Sequence, residues 1–132
     1  MAAQANVRDD YHYTKDHEWL AGSGDEQLVG ISAYAVDQLG DITLVNIDVK
    51  PGDKITAGKA FGTIESVKTL SDLFAPVSGT VVRVNADLES QPELVNEDPY
   101  GKAWLIAIKP EGSADDLMDA TAYRDFLSKA SH

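Results

Sequence analysis

Between Phe61 and Gly79 the chain carries two short apolar-bearing runs, Phe61 to Glu65 and Leu73 to Val77, around a small polar centre. Each run is bounded by glycine or proline and is too brief for a stable helix. The pattern predicts a β-hairpin with Lys68 near its tip. Nothing nearby needs to bury the stem of a lysine there, so its amine is expected to face water and be open to modification. Position alone is a weak signal, because most exposed hairpin lysines only add solubility. The spacing of Gly52, Gly58 and Gly62 extends the pattern: short strands folding back tightly, as in a compact sandwich or barrel.

Composition narrows what such a scaffold can do. Its 132 residues suffice for one domain with a modest core and no covalent staples. There is no cysteine, which excludes disulfides, thiolate metal sites and redox-active sulfur of the chain's own. Any redox role therefore needs sulfur brought by a cofactor. Eleven Lys plus Arg against 22 Asp plus Glu give a formal charge of −11. A surface this acidic disfavours nucleic acid and anionic membranes, whose phosphates need clustered cations, and suits docking to basic partners. No apolar run approaches the roughly 20 residues of a membrane helix. Residues 1–10 have neither the apolar core of a secretion signal nor the basic, acid-poor character of a transit peptide. A soluble intracellular protein is expected, with residues 1–10 as a flexible arm and 11–132 as the domain.

Tyr11 to Leu20 alternates aromatic and polar residues, suggesting a strand entry and a docking surface. A glycine- and acid-rich turn follows, and Gln27 to Ile31 should pair back as the next strand. Ser32 is placed to cap a short helix, Ala33 to Leu39, that Gly40 ends. Asp41 to Val49 is a β-branched strand, and turns follow at Pro51-Gly52-Asp53 and Thr56 to Lys59. Thr80 to Val84 is another strand. Asn85 to Tyr100, broken by Pro92 and Pro99, is expected to be an irregular excursion with a helical turn near Leu88. Trp104, Ile106 and Ile108 should alternate on one face of a last strand ended by Pro110. Ser113 and Asp116 resemble a capping box opening a helix over Ala114 to Met118, and Tyr123, Phe126 and Leu127 give a helical apolar stripe that packs on the sheet.

Candidate chemistry is sparse. His12, His17 and Glu18 are the sole candidates for a metal cluster. On alternating strand geometry His17 and Glu18 point to opposite faces, so no metal is expected and His17 reads as a surface or interface residue. Neither Ser66 nor Ser78 sits in a strained Gly-x-Ser-x-Gly turn, and the glycines lack the spacing of a phosphate-binding loop. An independent enzyme is not expected. Asp72 lies four residues past Lys68 on the far arm of the hairpin. A cationic group carried on Lys68 can fold back onto it, and onto Glu18 if that strand lies alongside.

Glu65-Ser66-Val67-Lys68, Ser71-Asp72-Leu73 and Ala75-Pro76-Val77-Ser78-Gly79 together closely resemble the lipoyl-attachment hairpin of the glycine cleavage system H proteins. The likeness runs from about Tyr11 to Leu127 and includes His17-Glu18-Trp19, Val29-Gly30-Ile31, Leu39-Gly40-Asp41-Ile42, Glu93 to Gly101 and Trp104-Leu105-Ile106. It implies a mainly β, lipoyl/biotinyl-type barrel-sandwich hybrid of two antiparallel sheets, with a short internal helix and a C-terminal helix. It implies lipoate in amide linkage to Lys68, with Glu65, Ser66 and Val67 recognised by a lipoate-attaching enzyme. The chain would then be a monomeric carrier, not an enzyme. It would take an aminomethyl group from a pyridoxal-phosphate glycine decarboxylase to a tetrahydrofolate-dependent aminomethyltransferase. A dihydrolipoyl dehydrogenase would reoxidise the arm. The loaded arm would rest in a cleft lined by Glu18 and Asp72, and by Asp16, where a serine can stand in the family. The setting would be the cytoplasm of a bacterium, or the mitochondrion if a presequence has been removed. The departures are Thr69-Leu70, where small residues are commoner, and the turn from Gly22 to Gln27.

Overall fold

The computed structural model describes residues 7–22, 24–111 and 117–130. Among them, nine strands form two antiparallel sheets. The first sheet holds β1 (His12–Tyr13), β2 (Glu18–Ala21), β3 (Gln27–Ile31), β9 (Ile106–Pro110), β8 (Gly79–Val84) and β5 (Lys54–Ile55), in that spatial order. The second holds β4 (Ile42–Ile47), β6 (Ala60–Ser66) and β7 (Leu70–Phe74), with β6 in the centre. The pairing of β6 with β7 makes the expected hairpin, in register from Ala60 opposite Phe74 to Glu65 opposite Leu70, but its second arm lies at Leu70–Phe74 and not at Leu73 to Val77, because a tight turn over 67–69 lets pairing resume at Leu70. Residues of both sheets, among them Ile31, Val45, Phe61, Ile64, Leu73, Val81 and Ile108, bury into one apolar cluster. Burying each such side chain is worth roughly 1.5–3 kcal/mol, so this cluster holds the two layers together. It is the two-sheet hybrid that the sequence led us to expect.

The internal helix α1 (Ala33–Leu39) starts and stops as read: Ser32 Oγ accepts from the Ala35 amide, and Gly40, at φ 82°, donates back to Val36. A second cluster lies on the first sheet, where Tyr123 and Leu127 of the terminal helix (Ala120–Ala130, below α4) pack with Tyr13, Trp19 and Tyr100. Trp19 sets a local constraint there. Its indole lies against Gly30, its partner on β3, where a Cβ would overlap the ring. Gly30 is therefore fixed by close approach rather than by backbone freedom.

Five other expectations are corrected. The stretch from Tyr11 to Leu20 is two strands broken by a turn, because His17 sits at φ 71°, in the left-handed region. Residues 7–10 are docked, not loose: Val7 is buried, its carbonyl accepts from Arg124, and Arg8 lies over the Tyr100 ring. The excursion from Asn85 holds the expected helical turn at Leu88, α2 (Asp87–Ser90), but also a second, α3 (Leu94–Glu97), so it is more ordered than Pro92 and Pro99 suggested. Strand β9 does not alternate. It is central in its sheet, so Ile106, Ala107 and Ile108 are all buried, and Trp104 joins the other cluster. Met118 is not helical but bridges to Tyr13. The capping box at Ser113 and Asp116 lies outside the described residues.

Candidate functional site

The hairpin tip is shaped by one buried hydroxyl. Ser66 Oγ accepts from the amides of Lys68 and Thr69, at 3.1 and 3.2 Å, while the Ser66 amide donates to the Thr69 carbonyl at 2.8 Å. This is a serine turn, in which a short side chain replaces the backbone partners that a tight bend removes. Val67 is tied across to the preceding loop by its amide, which donates to the Asp41 carbonyl at 3.1 Å. That loop is itself pinned by Asn96 of α3, whose amide group donates to Gly40 and whose oxygen accepts from Ile42, both at 2.9 Å. The tip thus rests on a braced platform. Lys68 is exposed, and its stem passes beside Gly40, whose missing Cβ would lie 3.4 Å from the lysine Cε.

Beside the hairpin runs a cleft of about 190 Å³. Its lining includes Asp16, His17 and Glu18 from the β1–β2 turn and start of β2, Gln38 and Leu39 from the end of α1, and Ser71 and Asp72 from β7. Asp16, Glu18 and Asp72 thus line one cleft. Their states differ. Asp16 and Asp72 are exposed, whereas Glu18 is 2% exposed. Glu18 Oε1 accepts from the Thr14 hydroxyl at 2.7 Å and Oε2 from the Phe74 amide at 3.2 Å, which ties the first sheet to the free edge of β7. Burial pushes its carboxyl up from 4.5 to about 7, against the pull of those two hydrogen bonds. A cation entering the cleft would favour the ionised form and be held by it.

His17, read from the sequence as a surface or interface residue, is half-buried. Its Nδ1 shares a 2.7 Å hydrogen bond with the Tyr123 hydroxyl, which also bonds Ser32 Oγ at 2.7 Å. Burial lowers its pKa, so it stands neutral at pH 7. Among the described residues no group of acids and histidines could hold a metal ion. A larger cleft, about 530 Å³, is lined by Arg8, Asp37, Glu97 and Tyr100 among others and contains no hairpin residue, so the chemistry is assigned to the smaller one. Sequence reasoning missed Thr14, Asn96 and the Phe74 amide as supports of the site. The first was visible in principle, since Thr14 stands four residues before Glu18 across a turn; the others meet their partners only through the fold.

A two-sheet scaffold that lifts one exposed lysine on a braced hairpin, beside an acid-lined cleft, defines a carrier domain of the lipoyl/biotinyl type. Residues 11–130 match the family described as glycine cleavage H-protein. The chain belongs to that family. It is 48% identical to the glycine cleavage system H protein of Magnetococcus marinus over 96% of this chain and 91% of that one. It is 52% identical to that of Bacteroides fragilis over 90% and 95%. The crystal structure of a glycine cleavage system H protein from Mycobacterium marinum superposes with a TM-score of 0.84 at 37% identity, covering 92% of this chain and 99% of the other. Membership makes the chain a carrier of the glycine cleavage system.

Proposed function

We propose that Lys68 carries lipoate in amide linkage and that the chain shuttles between the three enzymes of glycine cleavage. It would receive from a glycine decarboxylase, deliver to a tetrahydrofolate-dependent aminomethyltransferase, and present the reduced arm to a dihydrolipoyl dehydrogenase. The observation that carries this reading is the geometry of the hairpin: an exposed lysine on a braced turn, with an acid-lined cleft along the same hairpin, at Ile64 and at Ser71 to Leu73. The group fits the residues present. Strand β7 rises roughly 3.3 Å per residue, which puts Phe74, and Glu18 bonded to it, roughly 13 Å along from Leu70. A lysine stem alone falls short of that, and one extended by a medium acyl chain spans it. When bound, the dithiolane supplies the disulfide that this cysteine-free chain lacks.

The chain's own residues then hold and shield. Glu18 supplies a buried carboxylate and Asp72 and Asp16 supply charge at the rim, so an amine on the returning arm finds partners out of bulk water. The expected setting is the cytoplasm of a bacterium or the mitochondrion. Intact mass of protein made with lipoate present tests the attachment site. One lipoyl adduct is expected on the parent and none on Lys68→Ala. An adduct on the variant would overturn the assignment.

A further inference from the structure

Leu44, Val67 and Leu70 are the exposed large apolar side chains among the described residues, at 45%, 67% and 61% exposure. All three stand at one place. Glu65 on β6 is opposite Leu70 on β7 and opposite Leu44 on β4, so the three side chains lie in one row across the outer face of the second sheet. The irregular register between Ile42 and Leu44 brings Leu44 into that row. Val67 sits at the tip next to the lysine. A folded chain has no reason of its own to gather its exposed apolar surface around a single amine.

We propose that Leu44, Leu70 and Val67 form the docking surface for the enzyme that acylates Lys68, and that this enzyme presents an apolar shelf edged with basic side chains. The inference rests on the reading of Lys68 as the attachment site. Reach decides which partner is meant. An enzyme that acts at Nζ must bring its reacting atoms within one lysine stem of the tip, and so must cover the row beside it. Enzymes that act on the far end of the acyl arm stand off by the length of that arm. Charge decides the edge. From Asp37 to Asp48 and from Gly62 to Ser78 the only basic residue is Lys68, while Asp37, Asp41, Asp48, Glu65 and Asp72 are acidic. Acylation removes that one cation, so the surface turns wholly acidic once the reaction is done and product release is favoured by the loss.

The step is an acyl transfer from an acyl adenylate. Nζ forms the amide bond to the acyl carbon and loses a proton, the carbon–oxygen bond to the phosphate breaks, and adenylate leaves. Leu44 and Leu70 are solvent-facing, so replacing both with serine should leave the unfolding midpoint intact. The experiment follows acylation of the parent and of the Leu44→Ser, Leu70→Ser variant by intact mass, with a lipoate–protein ligase, lipoate and ATP. A rise in KM of about tenfold or more with kcat little changed is expected, from two half-exposed leucines leaving an interface. An unchanged KM would overturn the surface. An equal rise in KM when the lipoylated variant is reduced by dihydrolipoyl dehydrogenase and NADH would overturn its assignment to the acylating enzyme. A parent that takes up no acyl group would overturn the lysine reading itself, a result the variant cannot imitate.

Discussion

Glu18 shows how one residue is held in a state its composition would not suggest. In a chain with 22 acids, a carboxyl at 2% exposure has its proton affinity raised by burial. Its value near 7 lies above the ordinary 4.5, so the folded protein keeps a proton that the unfolded chain gives up between those values. The stability this confers is complete below about 4.5 and is lost as pH rises through about 7, by roughly 1.4 kcal/mol per unit and roughly 3 kcal/mol in all. Glu18→Gln removes that dependence. In urea unfolding, the variant should gain on the parent between about pH 5 and about pH 7.5. His17 contributes the opposite slope, because its lowered pKa favours folding at higher pH, and the parent-minus-variant difference cancels it. A difference that stays constant across that range would show Glu18 ionised in the empty cleft.

At the scale of elements, the hairpin was legible and its stiffness was not. Short apolar runs between glycine and proline were enough to predict a hairpin with Lys68 near its tip, but not that its second arm starts at Leu70 instead of Leu73. That Ser66 turns inward to serve two amides follows from the bend, and periodicity does not report it. Ser66→Ala should free those amides at a cost of roughly 1 kcal/mol. Hydrogen exchange at Lys68 and Thr69 should then quicken by several-fold, and unchanged protection would place the stiffness elsewhere. The β1–β2 turn was misread for a related reason. Alternating residues around His17 suggested one strand, but the left-handed φ at that residue reverses the chain and swings Asp16 and Glu18 toward β7. A non-glycine residue in that region is paid for by surrounding contacts, which a linear pattern does not contain.

For the whole molecule, the C-terminal helix is coupled to the cleft. Tyr123 of α4 hydrogen-bonds both His17 in the cleft wall and Ser32 at the start of α1, and it stacks on Tyr13 at 4.2 Å. Tyr123→Phe keeps the ring and removes the hydroxyl, leaving His17 and Ser32 each short of a partner. A loss of roughly 1–3 kcal/mol in urea unfolding is expected, and an unchanged midpoint would show that the hydroxyl is replaceable. The sequence by itself determined what is local: strands of β-branched residues ended by glycine and proline, a capped seven-residue helix, a lysine at a bend, an excess of acid, and motifs dense enough to mark a family. Only the tertiary structure decided what depends on separated residues meeting. It buried Glu18 against Thr14 and the Phe74 amide, made Asn96 the brace of the Gly40 loop, and drew Leu44 beside Leu70. The reason is physical: backbone preference acts over a few residues, whereas burial, proton affinity and exposed patches are set by neighbours that arrive from elsewhere in the chain.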